Sequence, residues 1–390
     1  MNDSKNFIPL SVPHVGGNEW SYVKECLDTG WLSSVGSFVD DFEKKLAHFV
    51  GAPYAVATSN GTAALHLALL ASGVQVDDEV LVPTITFAAT INAVHYCRAR
   101  PVFFDCDTAL NIDIDAVERF LTEECTRRDE GVFNRTTGKR VWGVLAVHIF
   151  GVCVDMERLQ ALSSRFSLSV VEDAAEALGS FHRSRHAGTF GSVGCFSFNG
   201  NKIISTGGGG MVVTHSEQLA TKIRYLSTQA KDDALQFIHH EVGFNYRLTN
   251  LQAAVGVAQL EQLPGFIAKK KSIFTRYRTE LNGYRSVSLI EGSSDGSYNY
   301  WLTNIVLDPG EGLSALDMVR RLEQHNIQAR PVWYPNHLQK PNQGCTAYRI
   351  SRATELATCV VSLPSSVGLS EDDQSRVIAA VKACYPDGRG

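Results

Sequence analysis

The chain has no long hydrophobic run. Its longest apolar stretch, Val141 to Val154, contains His148 and is too short to cross a bilayer. The stretch Met1-Asn2-Asp3-Ser4-Lys5-Asn6 has no apolar core of a secretory signal. No membrane partner is expected, and a cytoplasmic location is. The nine cysteines are scattered, with no Cys-x-x-Cys among them. That pattern argues against a disulfide framework or a zinc site and predicts reduced thiols and no metal. A basic excess is also missing. Lys and Arg number 36 against 41 Asp and Glu, a net charge of −5, so nucleic acid is not an expected partner. There is no internal repeat and no low-complexity tract.

What the chain does have is length and alternation. It has 390 residues, 44% of them hydrophobic, ample for two or three domain-sized units. Tyr54 to Thr58, Glu79 to Pro83, Pro101 to Asp105, Val141 to Val147 and Ser169 to Glu172 read as strands. Helical patterns fall between them at Thr62 to Leu70, Ala88 to Tyr96, a stretch capped by Asp113 or Asp115 and running through Leu121, and Met156 to Phe166. This rhythm predicts an α/β fold, a mainly parallel sheet flanked by helices. Ligands bind such sheets beyond the carboxyl ends of the strands. The polar stretch Thr126 to Arg140 reads as a long surface loop or a hairpin. Pro264-Gly265 reads as a turn that ends the preceding helix. The expected domains are therefore 1–263, large, and 264–390, a smaller α+β unit with a helix Phe266 to Leu281, a strand Trp301 to Leu307 and a helix Ala315 to His325.

The most telling segment is Cys195-Phe196-Ser197-Phe198-Asn199-Gly200-Asn201-Lys202-Ile203-Ile204-Ser205-Thr206-Gly207-Gly208-Gly209-Gly210. A lysine amine becomes a nucleophile when a partly dry pocket lets it shed its proton. Neighbouring glycines let a flat ligand approach the backbone. Lys202 is thus a candidate to hold pyridoxal phosphate (PLP) covalently; a solvated turn is the plainer reading. Asp173 follows the apolar run Leu168 to Val171. It could pair with the pyridine nitrogen of that cofactor, or simply cap the helix that follows. Ser59-Asn60-Gly61-Thr62-Ala63-Ala64-Leu65 joins a strand to a helix, a natural anion site or an ordinary capped turn. Ser197 could add a hydroxyl to the same phosphate. Phe87 could stack on the ring or belong to the core. Asn245 and Arg247, in Gly243 to Ala254, suit anion binding or a solvated helix entry. His148 ends a strand on the same sheet edge and reads more as structural than catalytic. Cys195 reads as packing, and Lys269-Lys270-Lys271 as a solvated helix face.

Taken together, four segments resemble the DegT/StrS group of PLP-dependent nucleotide-sugar aminotransferases, which have fold type I. They are Asn60 to Leu65, Glu172 to Ser180, Phe196 to Gly210 and Gly243 to Ala254. The resemblance spans nearly the whole chain. It implies that Lys202 holds PLP and shuttles the proton, that Asp173 pairs with the ring nitrogen and that Phe87 stacks on the ring. It implies that Gly61, Thr62 and Ser197 bind the phosphate, with Asn245 reaching in from the second subunit of a homodimer. Trp31 and Ser33 resemble the family's N-terminal substrate loop and His337 its C-terminal substrate segment; His148 and Arg247 complete the expected substrate contacts. Many relatives carry Gln where this chain has Glu176, which leaves the contact of Glu176 with the ring oxygen open. Relatives that dehydrate sugars have His in place of Lys202, so the lysine favours transamination.

Three further segments, Ile8 to Pro13, the polar loop after Cys125, and Gln229 to Asp233, resemble the branch that makes legionaminic acid and bacillosamine precursors. That likeness implies amination at C4 of a UDP-linked 4-keto-6-deoxy-N-acetylhexosamine with glutamate as donor. Two competing readings are a PLP-binding regulator without turnover and a cysteine desulfurase. The second would need a catalytic cysteine, for which Cys345 is the candidate.

Overall fold

A computed structural model describes residues 7–385, apart from 234, 285, 293–295, 309 and 311. Seven strands form the body of the large sheet. They are β1 (Tyr54–Thr58), β2 (Glu79–Pro83), β3 (Arg100–Phe104), β4 (Arg140–Val147), β5 (Ser169–Asp173), β6 (Val193–Ser197) and β7 (Gly210–Thr214). Their order is β1-β7-β6-β5-β4-β2-β3. The β6-β5-β4-β2-β3 pairs are parallel, and β7 runs antiparallel to both β1 and β6. Strand β2 is buried along its whole length, as expected where helices cover both faces of a sheet.

Helices Gly61–Ala71, Ala88–Tyr96, Ile114–Glu123 and Met156–Phe166 connect the strands. Side chains one step before three of them fix their starts. Asn60, Asp113 and Asp155 each accept the backbone N–H three residues on, at 2.8, 3.0 and 3.1 Å. Asp113, not Asp115, is therefore the cap. The polar stretch after Cys125 is a hairpin, Cys125–Arg128 with Gly131–Asn134, added to the sheet beside β4. Asn134 and Thr137 anchor it by donating to the Glu79 carboxylate at 2.9 and 2.8 Å.

A four-stranded antiparallel sheet makes up the second unit: β8 (Val287–Leu289), β9 (Thr303–Leu307), β10 (Arg330–Pro331) and β11 (Val360–Leu363), in the order β8-β9-β11-β10. The expected strand from Trp301 starts only at Thr303. Pro264-Gly265 does not break the chain into a turn. One helix runs from Asn250 to Leu281 with Pro264 inside it. A proline in a helix interior costs about 3 kcal/mol. Burial on both sides of it offsets that cost: Ala253, Ala254, Val257, Leu260 and Leu263 before, and Phe266, Ile273, Phe274, Tyr277 and Leu281 after. A boundary at 263/264 would thus fall within a continuous helix. The N-terminal segment also sits with the second unit, since Ile8 bridges Ile327 and Leu10 N–H donates to Gln328. The lysine run is not a solvated face either. Lys270 is buried, 3% exposed.

Candidate active site

The carboxyl ends of β1, β5 and β6, with the loop after β2, open onto one cavity of about 370 Å³. Gly61, Thr62, Phe87, Asp173, Glu176, Ser197 and Lys202 all line it. Strand alternation sends neighbouring residues to opposite sides. Asp173 takes the cavity side. Its Oδ2 accepts from the Thr90 hydroxyl at 2.7 Å and its Oδ1 from Ala175 N–H at 3.1 Å. Thr86 in turn contacts the Thr90 hydroxyl at 2.8 Å. Burial raises the Asp173 carboxyl above its ordinary range, opposed by those two hydrogen bonds and by the charge of Lys202. A cation placed against Asp173 would favour its ionised form.

Glu172 faces the other way and is fully buried. It accepts from Gly188 and Gly191 N–H and from Nε2 of His148, the last at 2.9 Å. Nδ1 of His148 accepts from Val154 N–H at 3.1 Å, which leaves the ring proton on Nε2. His148 therefore braces the strand behind the site and does not line the cavity. The substrate role expected for it has no support in this geometry, because both ring nitrogens are already used.

Lys202 sits in the turn after β6. Its Nζ lies 3.0 Å from Glu176 Oε1 and 4.2 Å from the centre of the Trp301 ring. Glu176 Oε2 accepts from Phe150 N–H at 2.9 Å. Burial raises the Glu176 carboxyl and Lys202 opposes it. The open contact of Glu176 is thus, within this chain, an ion pair with Lys202. Phe87 is 56% exposed at the cavity wall, its ring tilted against that of Trp333 with 6.4 Å between centres.

The remaining expected residues do not line this cavity. Asn245 is exposed and bridges Thr228. Arg247 bridges Thr58, its Nε is buried with no partner among the described residues, and burial lowers its pKa. The carbonyls of Trp31 and Ser33 accept from Asn250 at 2.8 and 2.6 Å, and both residues are exposed. His337 contacts Thr84 Oγ1 through Nδ1 at 2.7 Å. Burial lowers its pKa. Cys345 is half-buried, away from the cavity lining, with its thiol pushed up by burial, which is the wrong direction for a nucleophilic thiolate. Cys195 is packed in β6. Thr90, Trp301, Trp333 and Arg330 line the cavity without having been singled out in the sequence. Thr90 lies one helical turn after Phe87, which is the one signal that pointed to it. Trp301 looked like part of an ordinary strand.

The DegT/DnrJ/EryC1/StrS aminotransferase family matches residues 13–382. The chain belongs to this family. It is 41% identical over 376 residues to EpsN of Bacillus subtilis, covering 95% of this chain and 94% of that one. It is 38% identical over 379 residues to the GDP-perosamine synthase of Caulobacter vibrioides, with 96% and 97% covered. Among solved structures, DesI with its TDP-sugar product superposes with a TM-score of 0.88 at 28% identity, over 98% of this chain and 94% of that one. The protein is thus a PLP-dependent sugar aminotransferase with the fold of PLP aminotransferases.

The residues present fit that cofactor. A Cβ on Gly61 would stand 2.8 Å from Ser197 Cβ, so only glycine lets the helix start and the end of β6 come this close. Asn60 caps Ala63 N–H. The amides of Gly61 and Thr62 have no acceptor among the described residues, as a phosphate site at a helix N-terminus requires. Gly207, at φ 76°, takes a backbone conformation that favours glycine.

Proposed function

We propose that this enzyme moves an amine from glutamate to C4 of a nucleotide-linked 4-keto-6-deoxy sugar. The observation that carries this reading is the meeting of Lys202, Asp173 and the Gly61 helix start in one cavity. Bound there, PLP supplies an electron sink for the charge that develops as a C–H bond next to nitrogen breaks. Lys202 would hold it, Asp173 would keep its ring nitrogen charged, Phe87 would cover one face, and Gly61, Thr62 and Ser197 would take its phosphate. Lys202 Nζ is the general base that takes the proton from Cα of glutamate and the acid that returns a proton at C4 of the sugar. Glu176 keeps that amine in place between the two transfers.

The finer substrate is a UDP-linked 4-keto-6-deoxy-N-acetylhexosamine. It rests on the resemblance of Ile8 to Pro13, the polar segment after Cys125 and Gln229 to Asp233 to one branch of the family. A second reading, a GDP-linked sugar, is favoured by three GDP-perosamine synthases at 36–38% identity. The nucleotide supplies binding energy remote from C4, so kcat/KM compared across UDP-, GDP- and dTDP-linked 4-ketosugars separates the readings. Preference for the UDP sugar with its acetamido group is expected. Preference for the GDP sugar moves the substrate and leaves the reaction unchanged. No transfer from glutamate to any of them overturns the reading.

The active form is a homodimer with shared sites. Asn245 is exposed away from the cavity of its own chain, and Leu235, Phe237 and Val242 nearby in sequence are 88%, 67% and 83% exposed, apolar surface that a second copy would cover. Mixing Lys202→Ala and Asn245→Ala chains should restore part of the activity. No recovery after proven exchange would rule out sharing.

A further inference from the structure

In any transamination the active lysine is a free amine for part of each cycle. It must then stay close to the reacting atoms and stay put. Two groups surround Lys202 Nζ, the Glu176 carboxylate at 3.0 Å and the face of Trp301 at 4.2 Å. A cation over an indole face is attracted by the ring quadrupole, more strongly where water is excluded. Trp301 is 2% exposed.

The ring is fixed from several directions. Its Nε1 donates to the carbonyl of Asn201, the residue before Lys202, at 2.7 Å. Its backbone N–H donates to Asn299 Oδ1 at 3.0 Å, and its carbonyl accepts from buried Lys270 at 3.0 Å. Asn299 also donates to the carbonyls of Glu176 and Leu178 at 2.7 and 2.9 Å. One fully buried amide therefore ties together the two walls on either side of the lysine.

We propose that Trp301 is a positioning residue for Lys202: its ring face and the Glu176 carboxylate form a berth that holds the freed lysine nitrogen in place between proton transfers. The proposal rests on the aminotransferase reading for its purpose, but its geometry belongs to the chain alone. It assigns Trp301 a task that a packing residue would not have.

The test uses full-length protein stripped of PLP. Lys202 is acetylated with acetic anhydride at neutral pH, and its rate is read by mass spectrometry of the peptide that carries it. Only the uncharged amine reacts, so a group that favours the ammonium slows the reaction. Trp301→Leu should speed acetylation about two- to tenfold, and Trp301→Phe, which keeps a weaker ring face, by less. Both ratios should fall towards one well above the ordinary lysine range, where the amine is uncharged in every variant. A ratio that stays constant with pH reports access to reagent and overturns the proposal. So does a Phe variant that matches Leu, since both lack the indole N–H and only Phe keeps a face. If Trp301→Leu does not fold, the pH dependence of the Phe variant decides alone. Failure of the aminotransferase reading would appear separately, as no transfer to any ketosugar with the labelling order intact.

Discussion

Lys202 and Lys270 are held by opposite means. Lys202, in the glycine-rich loop, has a carboxylate at 3.0 Å and an aromatic face at 4.2 Å. Lys270, in the long helix, has only neutral partners among the described residues. It donates to the carbonyls of Trp301 and Ser365 at 3.0 and 2.6 Å, and burial pushes its pKa down to about 7. The first environment sets an opposing charge and an aromatic face beside the nitrogen. The second disfavours a charge, and its nitrogen satisfies two carbonyls and joins three segments of chain. Burial alone does not mark a catalytic lysine; the groups around its nitrogen do.

The sharpest test of that contrast is removal of each amine. Lys202→Ala should lower kcat by about a thousandfold or more, because proton transfer and the hold on PLP go together. The variant should also lose the visible absorbance of the bound cofactor. Steady-state turnover with a ketosugar checks the first and a spectrum the second. Retention of full turnover would remove Lys202 from the mechanism.

Lys270→Met should act on stability. It leaves two buried carbonyls unpaired, at about 1–3 kcal/mol each, and it also removes the cost of burying a charge. The sign of the pH effect follows from the depressed pKa. Between about pH 7 and the ordinary lysine range near 10.5, the unfolded chain binds the proton and the folded one does not. Wild-type stability therefore rises with pH across that window relative to the Met variant, by at most about 1.4 kcal/mol per unit. Below pH 7 both states are protonated and the gap is smallest. Urea unfolding of the two proteins at pH 6 and pH 9 checks this. A gap that narrows with pH would contradict a Lys270 buried against neutral partners.

Glu176→Gln gives Lys202 surroundings more like those of Lys270, with an acceptor but no opposing charge. The expected loss in kcat is roughly two- to tenfold, since the hydrogen bond survives and only the charge goes. An equal loss in Glu176→Gln and Glu176→Ala would show that the charge is what matters. The smallest effect belongs to Lys271→Ala. Lys271 is exposed in the same run, so stability should move by less than about 0.5 kcal/mol. A larger change would mean that the run acts as a unit.

Much of the fold was legible because local pattern and tertiary burial agree. The strand Glu79–Pro83 and the helix Met156–Phe166 appear at the bounds that their apolar spacing predicts. At Pro264 the two disagree. A local rule predicts a break, and packing along both halves of the helix overrides it. Lys270 failed for the same reason, since a run of three lysines looks solvated unless the face turned inward is known. The fold brings Gly61, Thr62, Phe87, Asp173, Glu176, Ser197 and Lys202 to one cavity, and each follows a strand end or belongs to a local motif. His148 could not be placed from sequence, because whether a strand-end residue faces the cavity or the layer behind it depends on the register of neighbouring strands.

By itself the sequence determined the alternation of strands and helices, the glycine-flanked lysine, the helix start that can take a phosphate, and the family. These are properties of short segments, fixed by side-chain size, backbone freedom and hydrogen-bonding groups a few residues apart. Only the tertiary structure decided that Glu172 braces the sheet while Asp173 faces the cavity. It alone brought Thr90 to Asp173 across 83 positions and placed Trp301, from the second unit, against Lys202. Contacts between residues so far apart in the chain depend on how sheets and helices pack, and no local pattern carries that information.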